Sequence, residues 1–258
     1  VLLWIMGDLH IELTRGWDLP AAGARPKYDV LVLAGDLITR MERGVKWIIE
    51  RVTDRPVIYI GGNHEGYGVD IDITLQKARL AAAGTNVHVM ENDSITIDGV
   101  TFLGAVGWTD FNLLGDQERA MRAAGEVMND YKKVRIDNYS RRLRPAHTLA
   151  RHMATRAFLE RELSKSPRIG ERRVVVTHHG FHAEAVRRGH GSDLISAAYA
   201  SDAAIEGADL WIYGHTHESR EFFSGATKVV TNSKGYGPWA KNESWENPSF
   251  NEHFVIEI

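Results

Sequence analysis

The chain contains no cysteine. Disulfides, thiolate metal ligands and a cysteine nucleophile are therefore excluded, and any metal must rest on His, Asp, Glu, Asn or backbone oxygen. No apolar run approaches the ~18–20 residues that a membrane-spanning helix needs, so no membrane partner is expected. Nor is there an excess of charge of one sign. Lys plus Arg is 31 and Asp plus Glu is 34, for a net charge of −3, and no global basic field points to nucleic acid as a partner. The apolar start, Val1–Met6, is short and ends at Gly7-Asp8. Without a basic leader or a small-residue cleavage site it reads as a strand rather than a signal peptide. The first residue is Val1 and not Met, which suggests a trimmed terminus. A cytoplasmic protein is the default expectation.

What is present is globular. Apolar residues make up 43 % and charged residues 25 % of 258, enough for one large α/β domain. Short apolar runs without polar alternation, at Leu2–Met6, Val30–Ala34, Val57–Ile60, 101–106, 173–177 and 209–213, predict strands covered on both faces. Helical patterns at 41–52, 75–83, 119–129 and 147–163 alternate with them, as in α/β folds. The tail carries β-like runs at 221–223, 228–231 and 254–258, and Asp98-Gly99 between 94–97 and 100–106 is a hairpin signal. The sheets are thus expected to be mixed. Residues of about 110–167 interrupt the strand rhythm with helices and are expected to form either a helical cap or an outer helix layer within a single domain spanning 1–258.

The polar residues carry the main clue, and twelve of them are histidines. Strand after strand runs into metal-competent side chains: Asp8-Leu9-His10, Gly35-Asp36, Gly62-Asn63-His64-Glu65, His178-His179 and Gly214-His215-Thr216-His217. Open α/β sheets bind ligands outside the carboxyl ends of their strands. Each block alone is a common turn or cap, but five at strand ends point to one convergent site. Imidazole and carboxylate without sulfur suit Mn, Fe, Zn, Co or Ni. The Asp-x-His and His-x-His spacings put alternate side chains on one side of an extended segment.

This ordered set resembles the calcineurin-like metallophosphoesterase superfamily, in the form of its small bacterial-type members. The resemblance runs from residue 8 to 217 and implies a four-layer α/β/β/α sandwich with two mixed β-sheets and a dinuclear centre at their edge. It implies two divalent or trivalent ions, with manganese foremost. Asp8, His10 and His217 would hold one ion, Asn63, His178 and His215 the other, and Asp36 would bridge them. His178 is preferred to His179 because it lies closer to its strand. His64 would act on the substrate without binding metal, with Glu65 or another acid orienting it. The implied reaction is attack on phosphorus by a metal-bridging hydroxide, Asp36 and His64 being the catalytic residues.

The substrate is expected to be a small phosphodiester such as a cyclic or linear nucleotide. A phosphomonoesterase or a nuclease on the same site is the alternative, and a non-catalytic scaffold of the same fold a further one. An amidohydrolase on a β/α barrel would place His-x-His early, whereas here it comes late. Gly35-Asp36 is followed by Leu37-Ile38-Thr39-Arg40 and not by the Asp-Arg-Gly element of Ser/Thr phosphatases, so a phosphoprotein substrate is not expected. Arg187 and Arg188, with His179, are candidate substrate-binding residues. The aromatic loop 232–250 can either stack on a base or pack on the sheet edge. The oligomeric state is left open, a dimer being compatible.

Overall fold

The computed structural model describes residues 1–186, 193–203, 205–240 and 243–258. Arg187 and Arg188 lie outside the described residues. In chain order the strands are β1 (Leu2–Met6), β2 (Val30–Ala34), β3 (Val57–Ile60), β4 (Val87–Met90), β5 (Asp93–Ile97), β6 (Val100–Ala105), β7 (Arg135–Ile136), β8 (Arg141–Arg142), β9 (Arg172–Thr177), β10 (Leu210–Tyr213), β11 (Ser219–Ser224), β12 (Thr227–Asn232) and β13 (Val255–Glu257). The helices are α1 (Met41–Ile49), α2 (Ile71–Ala82), α3 (Gln117–Val127), α4 (Asp130–Lys133) and α5 (Pro145–Leu163).

Two large sheets form, in the orders β13-β1-β2-β3-β4 and β11-β12-β10-β9-β6-β5. Both are mixed. β13 is antiparallel to β1 in the first, and β11 and β5 are antiparallel to their neighbours in the second. The layer order follows from the two-residue period of the strands. Leu3 and Ile5 of β1, Val174 and Val176 of β9, and Leu210 and Ile212 of β10 meet in a core between the sheets. Trp4 and Met6 face the other way, into a cluster with Met41, Val45 and Ile48 of α1 and Ala78 of α2. Val175 and Trp211 likewise face Phe158, Leu159 and Leu163 of α5. Each central strand is covered on both faces, which is why its residues do not alternate with polar ones. The result is the expected α/β/β/α sandwich.

Local chemistry explains the differences at element ends. Helix α2 begins at Ile71, earlier than its apolar pattern, because the Asp70 carboxylate accepts the N–H groups of Asp72 and Ile73 at 3.0 and 3.1 Å. The Asp98-Gly99 turn has φ values of 50° and 82°, the left-handed pair that a two-residue hairpin requires. Strand β4 and the small β7–β8 hairpin were not anticipated. Val87–Met90 follows a helix after only a short turn, so its four residues blend into the helix-end pattern.

Candidate metal centre and active site

Five strands deliver their C-terminal residues to one end of the seam between the sheets. Asp8 and His10 leave β1, Asp36 leaves β2, and Asn63 and His64 leave β3. His178 leaves β9, and His215 and His217 leave β10. Main-chain bonds tie these loops to their neighbours within each sheet. The Asp8 N–H donates to Gly35 O at 3.0 Å, that of His10 to Asp36 O at 2.9 Å, and that of Gly214 to His178 O at 3.0 Å. Asp8, His10, Asp36, His215 and His217 all have φ between 45° and 69°, a region costly for residues other than glycine. Such strain, of order 1–3 kcal/mol at each position, persists where surroundings over-determine it, characteristically at functional sites. Two glycines are required by close approach. A Cβ on Gly62 would fall inside the Asp36 carboxylate, and one on Gly35 would lie 2.6 Å from His178 Nδ1.

The side chains converge as three overlapping groups: Asp8, His10 and His217; Asp36, His178 and His215; and His10, Asp36 and His64. His10 Nε2 faces His217 Nε2 at 3.0 Å, and His178 Nε2 faces Asn63 Oδ1 at 3.0 Å and His215 Nδ1 at 3.2 Å. Bonds of about 2.1 Å to one ion at tetrahedral or octahedral angles hold their donor atoms about 3.0–3.4 Å apart. Two of the outward nitrogens are hydrogen-bonded. His178 Nδ1–H donates to Ala34 O at 2.9 Å, and His217 Nδ1–H to Glu246 Oε2 at 2.6 Å. These bonds fix the tautomers that leave Nε2 lone pairs pointing at the centre, the usual support of metal-binding histidine. Asp36 stands between the groups. Its Oδ1 is 3.5 Å from His178 Nε2, and its Oδ2 is 3.7 Å from His10 Nε2.

Titration follows the same geometry. Burial opposes a charge on His178, but the Asp36 carboxylate outweighs it and raises the imidazole to about 10. Burial and the neighbouring imidazoles push His215 well below the ordinary histidine range. Protons and metal ions thus compete for the same point in the centre. His179 packs behind His215, with ring centroids 4.3 Å apart, buried against Trp108. It is not among the residues that line the cleft.

His64 is placed differently from its neighbours. Its Nδ1–H donates to Glu12 Oε1 at 3.0 Å, and its ring stacks on Tyr67 at 4.2 Å. Burial opposes its charge, but Asp36 and Glu12 raise its pKa above the ordinary value. Glu65 does not orient His64. It is fully buried and accepts from the N–H groups of Gly62, Asp36 and Leu37 and from the Tyr59 hydroxyl. It ties the β2 loop to the β3 loop and so holds Asp36 and Asn63 at their spacing.

A cleft of about 590 Å³ opens over the centre. Val127, Met128, Val186, Ile195, Tyr199, Tyr236 and Glu246 are among the residues that line it. No Lys or Arg appears among the described lining residues. Three tyrosines each cover a histidine of the site: Tyr67 on His64, Tyr199 on His215 at 4.7 Å, and Tyr236 on His10 at 4.6 Å. Buried Lys234 donates to Thr14 Oγ1 at 3.1 Å and to Gly235 O at 2.9 Å, anchoring the Tyr236 loop to the segment that carries Glu12.

A model of the calcineurin-like phosphoesterases matches residues 1–219. The chain belongs to that family. It is a metal-dependent phosphoesterase, and its family works with a dinuclear metal centre. An uncharacterized protein of Acanthamoeba polyphaga mimivirus is 22 % identical over 287 residues, covering 100 % of this chain and 96 % of the relative. The phosphopantetheinyl hydrolase (PptH) of Mycobacterium tuberculosis superposes with a TM-score of 0.65 at 21 % identity, over 91 % of this chain and 89 % of that one. A dimetal phosphatase of Danio rerio gives 0.51 at 12 % identity, over 89 % and 86 %. The fold is therefore that of the metallophosphoesterases. Among the described residues of this phosphoesterase no helix is long and apolar enough to cross a membrane.

The aromatic loop of the phosphoesterase divides into two parts. Trp245 packs at 5.7 Å on Phe250, which sits in the core beside Trp17. Trp239 is 55 % exposed and lies 6.2 Å from Tyr236 at the cleft. Trp245→Ala is expected to cost up to about 3 kcal/mol, the low end for burying and then deleting such a side chain. Trp239→Ala should leave the unfolding temperature unchanged and raise KM for diesters with an aromatic arm. Thermal unfolding beside diester kinetics checks both.

Proposed function

We propose that the protein hydrolyses a small phosphodiester at two metal ions, one held by Asp8, His10 and His217 and the other by Asn63, His178 and His215, with Asp36 between them. The observation that carries the reading is the Asp36 carboxylate, whose two oxygens face two separate donor groups. When bound, the ions supply an activated water and Lewis acidity at phosphorus. Asp36 holds the spacing at which both can act on one phosphoryl group. His64, kept in register by Glu12 and Tyr67, presents Nε2 to the cleft and gives its proton to the departing oxygen. The tyrosines cover the rings of His64, His215 and His10.

Preference for a diester follows from charge. A diester carries one negative charge, whereas a monoester approaches two at neutral pH, its second pKa being about 6. Glu246 and Asp130 line the cleft and disfavour the second charge. The same lining, without Lys or Arg among the described residues, favours a small substrate over a nucleic acid. Within this reading the chain works as one domain. The helical segment of about 110–167 serves as one wall of the cleft through Met128, Asn129 and Asp130.

Hydrolysis of a chromogenic phosphodiester and its matched monoester by chelator-stripped protein tests the proposal. Addition of Mn²⁺, the ion we favour over Fe, Zn, Co and Ni, is expected to restore turnover, with the diester preferred. Metal-restored turnover of the monoester alone would overturn the diester reading. Nucleotides, cyclic and linear, belong in the first substrate panel. A phosphopantetheinyl ester joins them because the Mycobacterium tuberculosis structure is named for that group.

A further inference from the structure

We propose that Asp130 is a positioning residue that decides which end of the Asn63 side chain faces the metal centre. The inference rests on the two-ion reading above. A carboxamide has one oxygen that can bind an ion and one NH₂ that cannot, and the two ends are nearly the same size. Their orientation must therefore come from the neighbours. Asn63 Nδ2 donates to Asp130 Oδ1 at 2.8 Å and to the Tyr67 hydroxyl at 3.2 Å, while Asn63 Oδ1 lies 3.0 Å from His178 Nε2. The Tyr67 hydroxyl itself donates to Asp130 Oδ1 at 2.6 Å, which leaves its lone pairs free to accept from Asn63. Turning the amide over would set two oxygens against each other at 2.8 Å with no proton between them. Asp130 thus keeps the Asn63 oxygen on the centre.

Two further features of Asp130 point away from a role in the fold alone. It is 1 % exposed, and burying a carboxylate is costly unless donors satisfy it. Only Oδ1 is satisfied. Oδ2 is buried without a hydrogen-bond partner. The residue also arrives from α4, 67 positions beyond Asn63, on the segment that separates the two halves of the motif set. Through Tyr67, which stacks on His64, the same carboxylate steadies the ring beneath the proposed acid.

Exchange of the two side chains tests the proposal. Asp130→Asn is nearly isosteric but can meet either end of the Asn63 amide, so the bias is lost. Affinity for one of two Mn²⁺ ions is expected to weaken about 10–100-fold, as on loss of other supports of metal ligands. Elemental analysis at limiting Mn²⁺ then falls from two ions per chain toward one. In the double variant Asn63→Asp/Asp130→Asn, the carboxylate at 63 has an oxygen on both sides and the amide at 130 donates to it, so the second ion should return. Two ions at wild-type affinity in Asp130→Asn would overturn the proposal, as would a loss that the exchange does not restore. Should the single variant not fold, the exchange variant decides alone: two ions support the proposal and fewer overturn it. A wild-type protein that holds fewer than two ions would instead overturn the two-ion reading on which it rests.

Discussion

His64→Ala is expected to retain two metal ions per chain and to lose turnover by about 10²–10⁴-fold, the usual contribution of a positioned acid or base. The ring is held on three sides. Glu12 accepts its Nδ1–H at 3.0 Å, Tyr67 stacks on one face, and the Tyr236 hydroxyl lies 3.4 Å from Nε2. Its Nε2 is 4.0 Å from Asp36 Oδ2, and the carboxylates around it favour the protonated ring that a general acid needs. The loss should depend on the substrate. An alcohol leaving group, which must be protonated as it departs, should show the full decrease, and a nitrophenolate only a small one. Equal losses for both, or full activity, would remove His64 from the proton transfer. Glu12→Gln should reproduce the same leaving-group pattern at smaller amplitude, since it loosens the ring without removing it.

Asp36→Asn is expected to have the largest effect, with metal content falling below one ion per chain and turnover falling to background. The carboxylate touches both donor groups, and its Oδ1 also accepts the His64 N–H at 2.9 Å. An amide keeps the volume but offers one side of the centre an NH₂ in place of an oxygen. It also removes the negative charge that three nearby histidines, His178, His64 and His10, now share. The effect should be confined to the site. Stripped wild type and stripped variant are expected to unfold within a few degrees of each other, because the sheets and helices do not depend on this side chain. Elemental analysis and thermal unfolding of the same preparations separate a lost site from a lost fold.

The first tier of the candidate site was legible because of where it sits. Asp8, His10, Asp36, Asn63, His64, His178, His215 and His217 each follow directly on an apolar run, so strand ends and polar residues could be read together. The mixed sheets were legible from the β-like runs of the tail and from the Asp98-Gly99 hairpin. The layer count came from the resemblance to a family and not from the residues. What escaped was the support around those residues. Glu12 was hidden in a segment with no pattern of its own. Asp130 lay in a stretch read only as a helical cap or an outer helix layer, and it is buried beside Asn63. Tyr236 and Trp245 belong to one aromatic loop and do opposite jobs, which only the fold distinguishes. Glu65 was legible as part of a motif but not as the acceptor that ties two loops together.

The site draws Asp8, His10, Asp36 and Asn63 from one sheet and His178, His215 and His217 from the other. A pair of ions there would be a rivet through both plates of the sandwich as well as a reaction centre. The melting point of the whole sandwich should then climb with free ion concentration, by about 2.7 kcal/mol of added stability at a hundredfold excess over the dissociation constant. Scarcity of metal would loosen the joint between the sheets before it loosened either sheet. The same ion supply would set both how fast the protein works and how long it survives.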